Sequence, residues 1–253
     1  IGLVGSEMCI RDRNIVLTMS NFIFPLITFP YVSRILLPIG TGKVAFATSI
    51  VTYFSMFAQL GIPTYGIRVC AQVRDDKKKL SRTVQELLGI SIWTTAAAYL
   101  LFFIGLWTVP RMRADKTLFL IVSTMILFNS IGMEWLYKGL EEYSYITIRS
   151  IMVKIISVGA MFLLVKSKED YVIYGGISIF ASSASNVLNF MNAHKYVLLR
   201  PTGKYNFRQH MKPIMIFFAM SCATTVYTNL DTVMLGFIKT DEDVGYYNCL
   251  LYT

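Results

Sequence analysis

Apolar residues fall into seven long blocks, at 14–37, 44–67, 84–109, 117–137, 146–165, 171–193 and 212–238. Short stretches rich in charge, Pro or Gly separate them. A bilayer core about 30 Å thick takes roughly 20 residues of helix to cross. Backbone N–H and C=O groups in lipid must find partners within their own segment, so apolar blocks of this length read as helices. The pattern predicts an all-α polytopic membrane protein with about seven spans and no soluble domain of any size. Pro25 and Pro30 remove helix hydrogen bonds and predict kinks in the first span. The run Pro38-Ile39-Gly40-Thr41-Gly42 predicts a turn after it, and Pro110 ends the third span.

Composition agrees with this reading. Hydrophobic residues make up 55% of the 253, and mean hydropathy is +0.53. Charged residues make up 15%, against about 25% in a soluble domain. On a soluble protein the net charge of +9 would suggest nucleic acid. Here the basic residues concentrate in alternate loops, so no nucleic-acid partner is expected. Arg68, Arg74, Lys77–Lys79, Arg82, Lys138, Arg149, Lys195, Arg200, Lys204, Arg208 and Lys212 put 13 on one side. Arg34, Lys43, Arg111, Arg113, Lys116, Lys166, Lys168 and Lys239 put 8 on the other. The positive-inside rule assigns the richer side, and with it the N-terminus, to the cytoplasm.

Familiar chemistry is scarce. Cys9, Cys70, Cys222 and Cys249 form no Cys-x-x-Cys pair, so neither zinc nor a disulfide framework is expected. No Gly-x-x-x-x-Gly-Lys run offers a nucleotide site. His194 and His210 flank one polar loop, where a solvated or snorkelling ring is expected. No cofactor is predicted, and coupling to a proton or sodium ion stays open.

The ends look foreign. Residues 1–13, IGLVGSEMCIRDR, resemble a translated sequencing adapter, and residues 249–253, CLLYT, resemble the same adapter read from the other strand. Segments of that kind are set aside in fold reasoning. Between them a weak repeat links two helix ends. Val32-Ser33-Arg34-Ile35-Leu36-Leu37-Pro38 with Gly42–Ala47 matches Leu230-Asp231-Thr232-Val233-Met234-Leu235-Gly236 with Glu242–Tyr247. Both spans run the same way, as in transporters built from parallel repeats. The expected organisation is a six-helix lobe over residues 14–197, then a loop and the first helix of a second lobe over 198–248.

The segment from Glu134-Trp135-Leu136-Tyr137-Lys138-Gly139-Leu140 through Glu141-Glu142-Tyr143-Ser144-Tyr145 to Arg149 resembles the Wzx-type polysaccharide flippases. So do Ser33-Arg34 and the Asp231…Leu235-Gly236…Val244-Gly245-Tyr246-Tyr247 block. That superfamily also holds the MATE-type multidrug extruders and the lipid II flippases. The resemblance implies a translocase for undecaprenyl-diphosphate-linked oligosaccharide in the bacterial cytoplasmic membrane, in contact with membrane lipids and with other polysaccharide-assembly proteins. A MATE-type cation antiporter is the alternative transporter. A membrane-embedded glycan enzyme or a scaffold is the alternative of another class, although no catalytic cluster of His, Asp or Glu is present.

Ionisable residues inside spans are costly and mark function. Arg34 is a candidate cavity residue, or a snorkelling one at the outer interface. Glu134 lies four residues before Lys138, a spacing that favours a local ion pair; the other reading is a proton-accepting carboxylate. Arg149 is a further candidate cavity residue, with Glu141 or Glu142 within reach as pairing partners. Lys154 lies deeper, about 140° around the helix from Arg149, and is expected to face the cavity. Asp231 is a coupling candidate, or a partner for Arg34. In the sixth block Asn186, Asn189 and Asn192 form a stripe suited to sugar hydroxyls, while Ser178, Ser182, Ser183 and Ser185 suit close helix packing.

Overall fold

The computed structural model describes the backbone of residues 2–198 and 205–252. Side chains are described from residue 15 to residue 250, apart from residue 17 and residues 199–204. Residues 1–13, expected to be foreign, lie outside the described side chains. Among the described residues the chain is helical, with no strand. Its helices are α1 Gly2–Gln59, α2 Ile62–Val73, α3 Lys77–Thr108, α4 Pro110–Ala114, α5 Lys116–Ile131, α6 Glu134–Gly139, α7 Tyr143–Leu164, α8 Tyr171–Asn192, α9 Arg208–Ile238 and α10 Asp241–Tyr252.

Six stretches are long and apolar enough to cross a membrane, and the first, Thr18–Val73, holds 56 residues. As one helix that stretch would run about 84 Å, far beyond one bilayer core. It is divided at Leu37, whose φ of 57° and ψ of 176° leave the helical region. Residues 2–36 and 38–59 are therefore two helical segments, so the six stretches correspond to the seven apolar blocks read from the sequence. A second break at Leu60 and Gly61, both with positive φ, separates the short α2.

The position of the first break has a steric cause. The Pro38 ring disfavours the helical region for the residue before it, and Leu37 takes a conformation that is strained for a branched side chain. The turn expected from Pro38 to Gly42 is helix instead, and helical dihedrals run through Pro25 and Pro30. The fourth block also divides. α5 stops at Ile131, Met133 has a φ of 43°, and α6 follows as a separate turn and a half.

Contacts between helices set their directions. Ser20 meets Lys154 and Tyr31 meets the carbonyl of Val165, so the first half of α1 runs parallel to α7. Tyr171 meets Asp115 and Asn186 meets Asn129, so α8 runs parallel to α5. Phe57 stacks near Phe218 and Phe46 near Phe237, so α9 runs against residues 38–59. The first half of α1 arrives at the end where Lys43, at the start of residues 38–59, meets Asp115, and α9 runs toward that same end.

The loops sort to two ends. At one, Lys77 donates to the carbonyl of Lys195, and Arg74 pairs with Glu141 at 2.8 Å. At the other, Asp115 accepts Lys43 at 2.9 Å and Tyr171 at 3.0 Å, and Arg111 pairs with Asp241. α10 crosses the Leu37 break at this second end. A Cβ on Gly42 would stand 1.8 Å from the Asp241 carbonyl, and one on Gly245 would stand 1.9 Å from the Pro38 carbonyl. Only glycine permits this approach.

Between helices the core is apolar, with one cluster around Leu36, Val32 and Met161 and a larger one around Phe46, Val51, Phe102 and Phe119. Outward faces are apolar too. Trp93 and Trp107 are 80% and 82% exposed, beside exposed Leu100, Leu101 and Ile104 on α3. A soluble protein rarely leaves such a continuous patch bare, and lipid is the solvent it suits.

Candidate functional site

Three helices enclose a polar cleft of about 540 Å³. The first half of α1 gives Thr18, Asn21, Pro25 and Thr28, at intervals that keep them on one face. α7 gives Ser150, Lys154, Ser157 and Met161 at steps of four, three and four, and α8 gives Tyr174, Ser178, Ser182 and Ser185. Glu134 and Lys138 of α6 close one end. The Lys154 ammonium donates to Ser20 Oγ at 2.9 Å and to Asn21 Oδ1, and lies 5.6 Å from the Phe24 ring centre. Glu134 and Lys138 form the expected ion pair at 2.8 Å.

The polar wall continues beyond the cleft. Glu134 and Lys138 also line a cavity of about 330 Å³ with Gln59, Asn129 and Asn186. Gln59, Pro63 and Asn129 in turn line a third cavity, of about 210 Å³, that reaches Ser221 and Thr225 of α9. A row of polar side chains therefore runs from the α1–α7–α8 cleft to α9.

The residues singled out in the sequence separate into groups. Lys154 and Glu134 line the cleft, and Asn186 lines the second cavity with its amide donating to Asn129 at 2.9 Å. Gly132 makes that contact possible, since a Cβ there would stand 2.4 Å from Asn186 Cγ. Asn189 is buried away from the cleft, and its side-chain amide has no hydrogen-bond partner among the described residues. Ser178, Ser182 and Ser185, assigned to packing, stand on the cleft wall. Arg149 is 5% exposed and lines none of the three cavities. Its Nε and Nη1 lack partners, and its guanidinium lies 5.5 Å from the Tyr145 ring centre. Glu141, expected within its reach, is held by Arg74 instead. Arg34 is exposed and stands off the cleft. Asp231 is exposed and accepts the Tyr247 hydroxyl at 2.8 Å, not Arg34.

One polar group escaped the sequence reading. His210 is not solvated: it is 4% exposed, and its Nε2 lies 2.8 Å from Glu86 Oε2. Tyr65 Oη lies 2.8 Å from its Nδ1. Glu86, itself 1% exposed, also accepts the Asn206 N–H at 2.7 Å, Gln209 Nε2 at 2.9 Å and Arg82 Nε at 3.1 Å. No spacing could have exposed this set, because 124 residues separate Glu86 from His210.

Fold and cleft together define a polytopic membrane protein with a polar path among its spans. The chain belongs to the polysaccharide biosynthesis protein family, whose model matches residues 13–250. It is 24% identical over 231 residues to an Escherichia coli K12 protein named "Putative O-antigen transporter", covering 90% of this chain and 56% of that one. It is 25% identical over 232 residues to a Shigella dysenteriae protein of the same name, covering 90% and 58%. The chain thus spans a little over half the length of these relatives. No solved structure matches it.

Proposed function

We propose that the chain forms the headgroup-receiving part of a translocase for polyprenyl-diphosphate-linked oligosaccharide. The observation that carries the reading is Lys154 in the α1–α7–α8 cleft, a cation set among hydroxyl and amide groups well below the ends of its span. A diphosphate and a glycan cannot cross about 30 Å of hydrocarbon without a polar, positively charged path. Lys154 meets the diphosphate, the serines of α7 and α8 meet sugar hydroxyls, and the prenyl tail stays in lipid. The names of the relatives support a polysaccharide cargo. The end bearing Lys77–Lys79 faces the cytoplasm, and a second lobe completes the path. The protein carries its cargo without altering it chemically.

The chain in lipid nanodiscs tests this. Polyprenyl-diphosphate-linked oligosaccharide should bind, the free polyprenyl alcohol should not, and Lys154→Gln should weaken binding about tenfold, or about 1.4 kcal/mol. Unchanged affinity in Lys154→Gln overturns the headgroup site. Displacement of the lipid by an organic cation such as ethidium moves the reading to the antiporter class.

A further inference from the structure

The Glu86 carboxylate is surrounded by donors. Oε1 accepts from Asn206 and Arg82, and Oε2 accepts from Gln209 and His210. As an ionised carboxylate Glu86 is acceptor at every one of these contacts, and His210 Nε2, which also lies 3.1 Å from Gln209 Nε2, then carries a hydrogen toward it. In the neutral ring Nδ1 is then the acceptor, and the Tyr65 hydroxyl donates to it. Arg82 balances the carboxylate, and the set as it stands is neutral. One vacancy for a proton remains, at Nδ1, and the Tyr65 hydroxyl can turn to accept from it.

The place of this vacancy gives it consequence. Tyr65 belongs to α2, Arg82 and Glu86 to α3, and Gln209 and His210 to the first turn of α9. Among the described residues, the titratable and charged groups facing the imidazole are Tyr65 from α2 and Glu86 from α3, with Arg82 on the far side of the carboxylate. α9 is also held here by Ile214 and Phe217 against the apolar cluster around Leu87 and Ile62 and by Phe218 against Phe57. The polar set joins this end of α9 to α2 and α3, while farther along α9 packs on residues 38–59 through Phe237 against Phe46.

We propose that His210 is a proton-binding site and that its occupancy controls the docking of α9. Protonation at Nδ1 turns the contact with Glu86 into a charge-assisted pair, which is shorter and roughly twice as strong as the neutral bond. The protonated site holds α9 against α2 and α3, and proton loss loosens it. Neither Glu134, paired with Lys138, nor the exposed Asp231 offers a comparable buried vacancy. The purpose of such a lock rests on the transport reading above, in which α9 moves during a cycle.

The test reads the position of α9 with no lipid-linked substrate present, so its failure and the failure of the headgroup site are distinct results. Spin labels go on cysteines introduced at the exposed Ile92 and Met220, with Cys9, Cys222 and Cys249 changed to alanine and the buried Cys70 kept. In nanodiscs, the undocked population of the Ile92–Met220 distance distribution should grow about threefold between about pH 5 and about pH 8. His210→Gln and Glu86→Gln should abolish that dependence. Tyr65→Phe, which leaves the ion pair in place, should keep it with a displaced midpoint, and it serves if the other variants do not fold. A distribution constant with pH in the unaltered protein, or a pH dependence that survives His210→Gln, overturns the proposal.

Discussion

The α1–α7–α8 cleft and the Glu86–His210 junction are both polar, and they treat polarity in opposite ways. In the cleft Lys154 is half-buried beside open volume, and its few partners are neutral. At the junction every acceptor position of Glu86 is filled, and Glu86 and His210 are buried beneath the exposed Arg82, Asn206 and Gln209. A buried polar network of that kind rigidifies when fully satisfied and fails sharply when one member goes. A wet, half-satisfied wall keeps capacity for a ligand. The contrast separates polarity that holds helices together from polarity that waits for something to bind.

Breaking the junction should have the largest effect. Glu86→Leu removes the acceptor shared by four donors and leaves Arg82 and His210 facing each other, so it should cost about 3–5 kcal/mol. Thermal unfolding in detergent reads the loss. Lys154→Gln, at a half-exposed site, should leave that unfolding nearly unchanged while weakening lipid binding. Equal destabilisation by the two would erase the distinction.

Arg149 sharpens the comparison, since it is buried like the junction and under-partnered beyond even the cleft. An orphaned buried polar group costs about 1–3 kcal/mol. Arg149→Met should therefore hold or raise the unfolding temperature. A fall comparable to that of Glu86→Leu would mean that the guanidinium is fully paired.

The smallest effect belongs to Asp76, an exposed polar group that serves a single helix end. Its carboxylate accepts the N–H groups of Lys78 at 3.0 Å and Lys79 at 3.2 Å, capping α3. Those N–H groups, that of Lys79 foremost, hold its pKa below the ordinary carboxylate value. The cap's contribution is therefore full above that ordinary value and is lost as pH falls through the lowered one. Asp76→Ala should speed amide exchange in the first turn of α3 at neutral pH and make no difference in strong acid. An equal effect at both would mean the capping charge is immaterial.

How far the sequence could be read depended on distance along the chain. Lys154 was legible as a lone cation inside an apolar block, and Glu134 with Lys138 as an i, i+4 pair. Proline predicted disruption near the end of the first span, but the break came before Pro38 and not at Pro25 or Pro30, where the helix continues. Of the asparagine stripe, Asn186 lines a cavity beside Asn129. Asn189 turns inward, and the serines take the cleft wall.

By itself the sequence determined that the chain is helical, with apolar blocks long enough to span a membrane. Blocks long enough to cross hydrocarbon must satisfy their backbones as helices, and that demand is local. Only the tertiary structure decided which helices touch. It placed Lys154 against Ser20 and Asn21, left Nε and Nη1 of Arg149 without hydrogen-bond partners among the described residues, and brought His210 to Glu86. Each of these depends on the rotation of one helix about its axis against another, which packing between distant segments sets and no spacing within a segment records.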